Sequence, residues 1–148
     1  MVNPAKIHYI DKGFIMIIQL SKAVSLAKKI AKNLKGGEIL ALSGELGSGK
    51  TTFTKALGKE LGVKETITSP TFVLMQQYQT SRFSGNKKPL WLYHLDLYRT
   101  KNFDEVKGLG IEEILGHPET ITVIEWSDKI EKSLPSKIIK IEFHRDAN

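Results

Sequence analysis

The 148-residue chain has no cysteine, only three arginines (Arg82, Arg99, Arg145) and no apolar run longer than Phe14 to Ile18. Without cysteine there can be no disulfide and no thiolate metal site, which suits a reducing cytosol. A bilayer span needs about 20 apolar residues, so a membrane helix is excluded. No pattern of charge, long apolar core and small-residue cleavage site opens the sequence. A soluble, cytoplasmic protein with no membrane partner is therefore expected. No internal repeat or low-complexity segment is present either. Basic charge comes from lysine and leaves a net charge of +6. Those lysines are spread from Lys6 to Lys140 rather than gathered into a tract. That spread reads as a solvated surface more than as a nucleic-acid footprint. No DNA partner is expected from it.

What the chain does have is Gly44-Glu45-Leu46-Gly47-Ser48-Gly49-Lys50-Thr51, which matches the phosphate-binding spacing G-x-x-x-x-G-K-[ST]. Polyphosphate is densely anionic, and backbone N–H groups can ring it if the chain curls tightly. Glycines permit the curl and the close approach. The helix that follows points its positive dipole end at the same charge. Lys50 would reach the β- and γ-phosphates, and the Thr51 hydroxyl would ligate Mg²⁺. Four matching positions arise by chance in about one chain of this length in 200, so context has to decide. Glu38 to Ser43 reads as a buried strand, and Lys50 to Leu61 places Phe53, Ala56, Leu57 and Leu61 at helical spacing. Strand, loop and helix are the context the motif requires.

The rest of the chain reads as one α/β domain. Residues 1–13 are polar and irregular, an extension; residues 14–148 are expected to form the P-loop domain. Phe14 to Leu20 is a first strand, and Ser21 is an N-cap for a helix to about Leu34. Thr71 to Gln79 and Leu90 to Leu97 are extended. The polar stretch between them, Thr80 to Pro89, is too short for a helical crossover, so these strands pair antiparallel. A short helical region broken by Gly108 and Gly110 follows. Ile121 to Trp126 is an apolar strand, Ser127 to Lys132 a helical turn, and Ile138 to Phe143 a last strand. The expected fold is a single three-layer P-loop NTPase domain whose mixed sheet includes an antiparallel hairpin.

A phosphate loop needs an acid at the end of a buried strand to hold Mg²⁺ or its water shell. Glu125 ends Ile121-Thr122-Val123-Ile124, and Asp96 lies in His94-Leu95-Asp96-Leu97-Tyr98-Arg99. At least one belongs to the metal site. Both do if one ligates the metal and the other orients the attacking water. Thr68-Ser69-Pro70-Thr71-Phe72 lies where nucleotide switches place a threonine that senses the γ-phosphate, although spacing alone reads as a Ser-Pro turn entering a strand. Trp126 is either core or packs near the nucleotide. His94 reads as a strand residue directed at the core or a neighbour, with no second histidine at metal spacing. Trp91, Tyr93 and Tyr98 read as core.

Taken together, G-E-L-G-S-G-K-T-T-F at Gly44 to Phe53, S-P-T-F at Ser69 to Phe72, Y-H-L-D-L-Y-R at Tyr93 to Arg99, G-L-G-I-E-E at Gly108 to Glu113 and V-I-E-W at Val123 to Trp126 occur in order. This sequence resembles the TsaE (YjeE) family, the bacterial ATPase needed to form threonylcarbamoyl-adenosine in tRNA. Glu45 and Ser48 are mild departures, standing where aspartate and alanine are common. The resemblance implies ATP bound along Glu45, Leu46, Gly47, Ser48, Gly49, Lys50, Thr51 and Thr52, with Trp126 near the nucleotide and Thr71 in a switch-like segment. It implies Mg²⁺ held by Thr51 and Glu125, and Asp96 needed for hydrolysis. It further implies a TsaB–TsaD-like partner complex, with tRNA met indirectly or weakly. Two other readings share the loop. A small-molecule kinase would need several arginines and a closing lid, which this chain lacks. A nucleotide-gated binding module would bind ATP with negligible turnover.

Overall fold

The computed structural model describes residues 5–10, 13–45, 47–69, 74–101 and 103–145. The chain runs β1 (Ala5–Ile10), β2 (Gly13–Gln19), a 3₁₀ turn (Leu20–Lys22), α1 (Ala23–Ala31), β3 (Ile39–Gly44) and α2 (Lys50–Glu60). It continues with β4 (Met75–Phe83), β5 (Pro89–Asp96), α3 (Phe103–Lys107), α4 (Ile111–Ile114), β6 (Thr120–Glu125), a 3₁₀ segment (Ser127–Ser133) and β7 (Ile138–His144). These strands form one mixed sheet in the order β1-β2-β7-β3-β6-β5-β4. The four central strands β7, β3, β6 and β5 are parallel, and β4 closes one edge antiparallel to β5.

Alternation along the strands sorts the core onto two faces. On one face Leu40, Leu42, Leu90, Leu92, Ile121, Val123, Ile141 and Phe143 pack against α1 and α2. On the other, Ile39, Ala41, Leu95, Leu97, Ile124 and Ile138 pack against α3, α4 and the second 3₁₀ segment. The result is the expected three-layer α/β domain. Buried on both faces, β3 and β6 read as near-continuous apolar runs, as parallel central strands do. Phe53 meets Phe143 edge to face at 5.5 Å. That contact ties the first turns of α2 to the sheet beside the phosphate loop.

Three local expectations are corrected. Residues 5–10, read as irregular extension, form β1, paired antiparallel with β2 from Ala5↔Ile18 to Ile10↔Gly13. The polar residues among Ile7, Tyr9 and Ile10 obscure a strand that its hairpin partner supplies. Ser21 is not the helix N-cap: it lies inside the 3₁₀ turn, and the α1 cap position is Lys22, with no side-chain cap bond. The first four residues of the polar stretch after Gln79 are strand, because β4 continues across a bulge to Phe83. Thr80 is the reason: its buried hydroxyl donates to Leu90 O at 2.8 Å and accepts from Arg82 N–H at 3.1 Å.

The Arg82 guanidinium then donates to Ala31 O and, at 3.4 Å, to Glu60 O, the carbonyl ends of α1 and α2. A cation there satisfies helix-terminal carbonyls and opposes both negative dipole ends. We expect Arg82→Leu to lower stability by about 1–3 kcal/mol in urea unfolding. ATP affinity should not change, because α2 places its other end about 16 Å away at the phosphate loop.

Candidate functional site

Strand β3 ends at Gly44, and after five intervening residues α2 begins at Lys50. Gly44 (φ 140°) and Gly49 (φ 114°) both hold left-handed backbone. A Cβ on Gly44 would stand 2.5 Å from Phe143 O, so only glycine fits where the loop leaves the sheet. Inside the loop Ser48 N–H donates to Glu45 O at 3.0 Å, and Phe53 N–H donates to Gly49 O at 2.8 Å. No side chain caps α2, and its first turn carries no acid. The leading N–H groups of this helix are therefore presented to the loop, as an anion site requires.

Lys50 is buried, and its Nζ donates to Gly44 O at 2.6 Å, Glu45 O at 2.9 Å and Ser48 Oγ at 3.4 Å. Burial pushes its pKa below the ordinary lysine value, and the negative charges of Glu125, Asp96 and Asp128 oppose that fall. Above the ammonium lies the Trp126 ring, 4.1 Å from Nζ to centroid. Trp126 holds a left-handed backbone (φ 61°, ψ 40°), a costly conformation for a bulky residue. Tyr98 packs on the outer side of Trp126 at 5.0 Å and is half exposed, so it is not the core residue its strand position implied. A cleft of about 640 Å³ opens beside the loop, lined by Ser43, Gly44, Glu45, Trp126, Asp128 and Arg145 among others.

The two acids meet because β5 and β6 run parallel in the register Asp96↔Glu125. Their surroundings differ. Glu125 is buried, accepts from Thr51 Oγ1 at 3.0 Å through one oxygen, and contacts His94 Nε2 through the other. Asp96 is partly exposed, accepting from Ser69 Oγ at 2.6 Å and from Tyr98 N–H at 3.0 Å. Thr52 is exposed in the first turn of α2. Leu46, Pro70, Thr71 and Phe72 lie outside the described residues.

The donors Thr51 Oγ1, Glu125 and Asp96 are all oxygens. That set suits Mg²⁺, which takes one or two carboxylates together with substrate phosphates and water. Sequence reasoning passed over three contributors: His94 against Glu125, Ser69 against Asp96, and Asp128 acting on Lys50. The signal for His94 was available, since alternation puts it on the same face of β5 as Asp96.

The family model "Threonylcarbamoyl adenosine biosynthesis protein TsaE" matches residues 18–148. A tRNA threonylcarbamoyladenosine biosynthesis protein TsaE from Bacillus subtilis is 38% identical over 121 residues, covering 82% of this chain and 70% of that protein. The protein of the same name from Rickettsia bellii is 41% identical over 118 residues (79% and 76%), and that from Aquifex aeolicus 42% over 106 residues (70% and 68%). The crystal structure of Bacillus subtilis YdiB superposes with a TM-score of 0.59 at 28% identity, covering 99% of this chain and 82% of that one. With matches over this much of its length, the chain belongs to the TsaE family of threonylcarbamoyl adenosine biosynthesis proteins.

Proposed function

We propose that the chain is a cytoplasmic, Mg²⁺-dependent ATPase required for forming threonylcarbamoyl-adenosine in tRNA. By binding and hydrolysing ATP it would cycle a TsaB–TsaD-like transfer complex. The observation that carries this reading is the hydrogen bond from Thr51 to Glu125 across 74 residues of sequence. It joins the end of the phosphate-loop motif to a strand-terminal acid that is buried.

In this reading the loop and the first turn of α2 cradle the β- and γ-phosphates with N–H groups. Lys50 exchanges its contacts with Gly44 O and Glu45 O for phosphate oxygens. Thr51 and Glu125 would hold Mg²⁺, which when bound offsets negative charge on the β- and γ-phosphates. Asp96, anchored by Ser69 and Tyr98 but reached by solvent, orients the attacking water. Trp126 covers the phosphate end and limits bulk water there. Thr71, in the segment after Ser69, senses the γ-phosphate and passes that state toward the β4–β5 hairpin. The described site holds one polyphosphate cradle, and the available energy therefore goes to moving a partner.

The test is modification in cells that lack the protein. Their tRNA should contain no threonylcarbamoyl-adenosine by mass spectrometry. Wild-type chain should restore it and Lys50→Ala should not. Phosphate release should rise when a TsaB–TsaD-like complex is added. Normal modification without the protein would sink the pathway role, whatever the ATP site does.

A further inference from the structure

We infer that His94 is the positioning residue of this site: its imidazole holds Glu125 so that one carboxylate oxygen is kept for Thr51 and the metal. This deepens the ATPase reading above and rests on it for its kinetic consequences.

Leu90, Leu92, His94 and Asp96 alternate along one face of β5, and both leucines belong to the core under α1 and α2. The next place along that row would take an aliphatic side chain by pattern. It takes a histidine that is wholly buried. A buried imidazole must find a partner or bear the cost of desolvation. His94 finds one at Nε2, against Oε2 of Glu125, and none among the described residues at Nδ1. A buried ring nitrogen without a partner costs stability, so packing alone favours Leu or Phe here. The contact with Glu125 is what the imidazole adds.

Glu125 shows what that contact does. Its side chain ends β6 on the α2 side of the sheet, with Ile121 and Val123 behind it. A carboxylate there has two oxygens to satisfy and little water to do so. Thr51 donates to Oε1 at 3.0 Å, and His94 covers Oε2. With both oxygens held, the carboxylate plane is fixed relative to the first turn of α2. Without His94, Oε2 would have to turn toward Thr51 or Lys50 for a donor, and Oε1 would leave its place. Groups that orient a metal-binding side chain in this way typically govern affinity or activity by about 10- to 100-fold.

Two replacements separate positioning from core filling. His94→Phe fills the volume and has no donor. His94→Gln keeps an N–H near the position of Nε2 but packs less well. We expect His94→Phe to raise the Mg²⁺ concentration for half-maximal ATP turnover by about tenfold or more, with affinity for Mg²⁺-free ATP retained. His94→Gln should stay within about threefold of wild type. A Phe variant with wild-type Mg²⁺ requirement, or a Gln variant as impaired as Phe, overturns the inference.

A second arm needs neither turnover nor a variant that folds. Nitrogen-15 NMR of the wild-type imidazole, without metal or nucleotide, should show the Nε2–H tautomer with a slowly exchanging proton. A bare Nε2 overturns the donor role. If wild-type protein with its partner complex hydrolyses no ATP, the ATPase reading fails instead, and the NMR result still decides whether His94 holds Glu125.

Discussion

Lys50→Met will keep its fold and lose its nucleotide. In the structure the ammonium is satisfied by two loop carbonyls and Ser48, under the ring of Trp126. Burial lowers its pKa from 10.5. The native state therefore binds that proton less tightly than the unfolded chain, and stability rises with pH through the window between the lowered value and 10.5. At neutral pH the buried charge costs stability, and methionine removes that cost while filling the space. Gly44 and Glu45 are not buried, so water can take over their carbonyls. The melting temperature without ligand should stay within about 3 °C of wild type, or rise.

ATP should reveal the difference. Charge-assisted bonds of this kind contribute about 1.5–3 kcal/mol, which is about 10- to 100-fold in affinity. With Mg-ATP at about 100 times its dissociation constant, wild type gains about 2.7 kcal/mol. That corresponds to an upward shift of about 5–10 °C for a domain of this size. A hundredfold weaker variant would shift by only about 1 °C under the same conditions. Calorimetric melting with and without Mg-ATP reads both quantities. Equal shifts in the two proteins would remove Lys50 from the phosphate site.

Legibility in the sequence followed the range of the interactions. The phosphate loop was readable because its geometry is local: three glycines, a lysine and a helix start lie within eight residues. Glu125 was readable too, because a buried parallel strand is a near-continuous apolar run and the acid stands at its end. The antiparallel pair β4 and β5 followed from the length of the polar stretch between two extended segments. Its real extent did not, since Thr80 and Arg82 act through β5 and through the ends of α1 and α2. β1 was hidden for a related reason: its pairing comes from β2, and its own composition is mixed. The different surroundings of the two acids needed the parallel register of β5 and β6. Only that register sets Asp96 opposite Glu125 and brings His94 to the second carboxylate oxygen. Tyr98 shows the opposite error. Its aromatic character pointed inward, but two residues past the strand end it turns out and packs at a tilt against Trp126.

Asp96→Asn should cut ATP turnover about 100-fold or more while leaving nucleotide affinity near wild type. The substitution isolates charge from shape. Asp96 accepts Tyr98 N–H two residues on, an Asx-type turn in which an asparagine carbonyl serves equally well. Ser69 Oγ faces the other carboxylate oxygen, where the asparagine NH₂ would stand and donate to it. Stability and the path of the chain after β5 should therefore be kept. What is lost is a partly exposed carboxylate beside Glu125, the group that in the proposed mechanism orients water at the γ-phosphate. Glu125→Gln should behave differently. Its buried oxygens serve Thr51 and His94. Glutamine removes the charge and either turns the Thr51 hydroxyl into an acceptor or sets NH₂ against His94, so the Mg²⁺ requirement should rise. Titrating Mg²⁺ against turnover in both variants distinguishes the roles. Added Mg²⁺ should recover much of the activity of Glu125→Gln and little of that of Asp96→Asn. Recovery of Asp96→Asn alone would exchange the two assignments and make Asp96 the metal ligand. Full activity of Asp96→Asn without added Mg²⁺ would reduce Asp96 to a turn former.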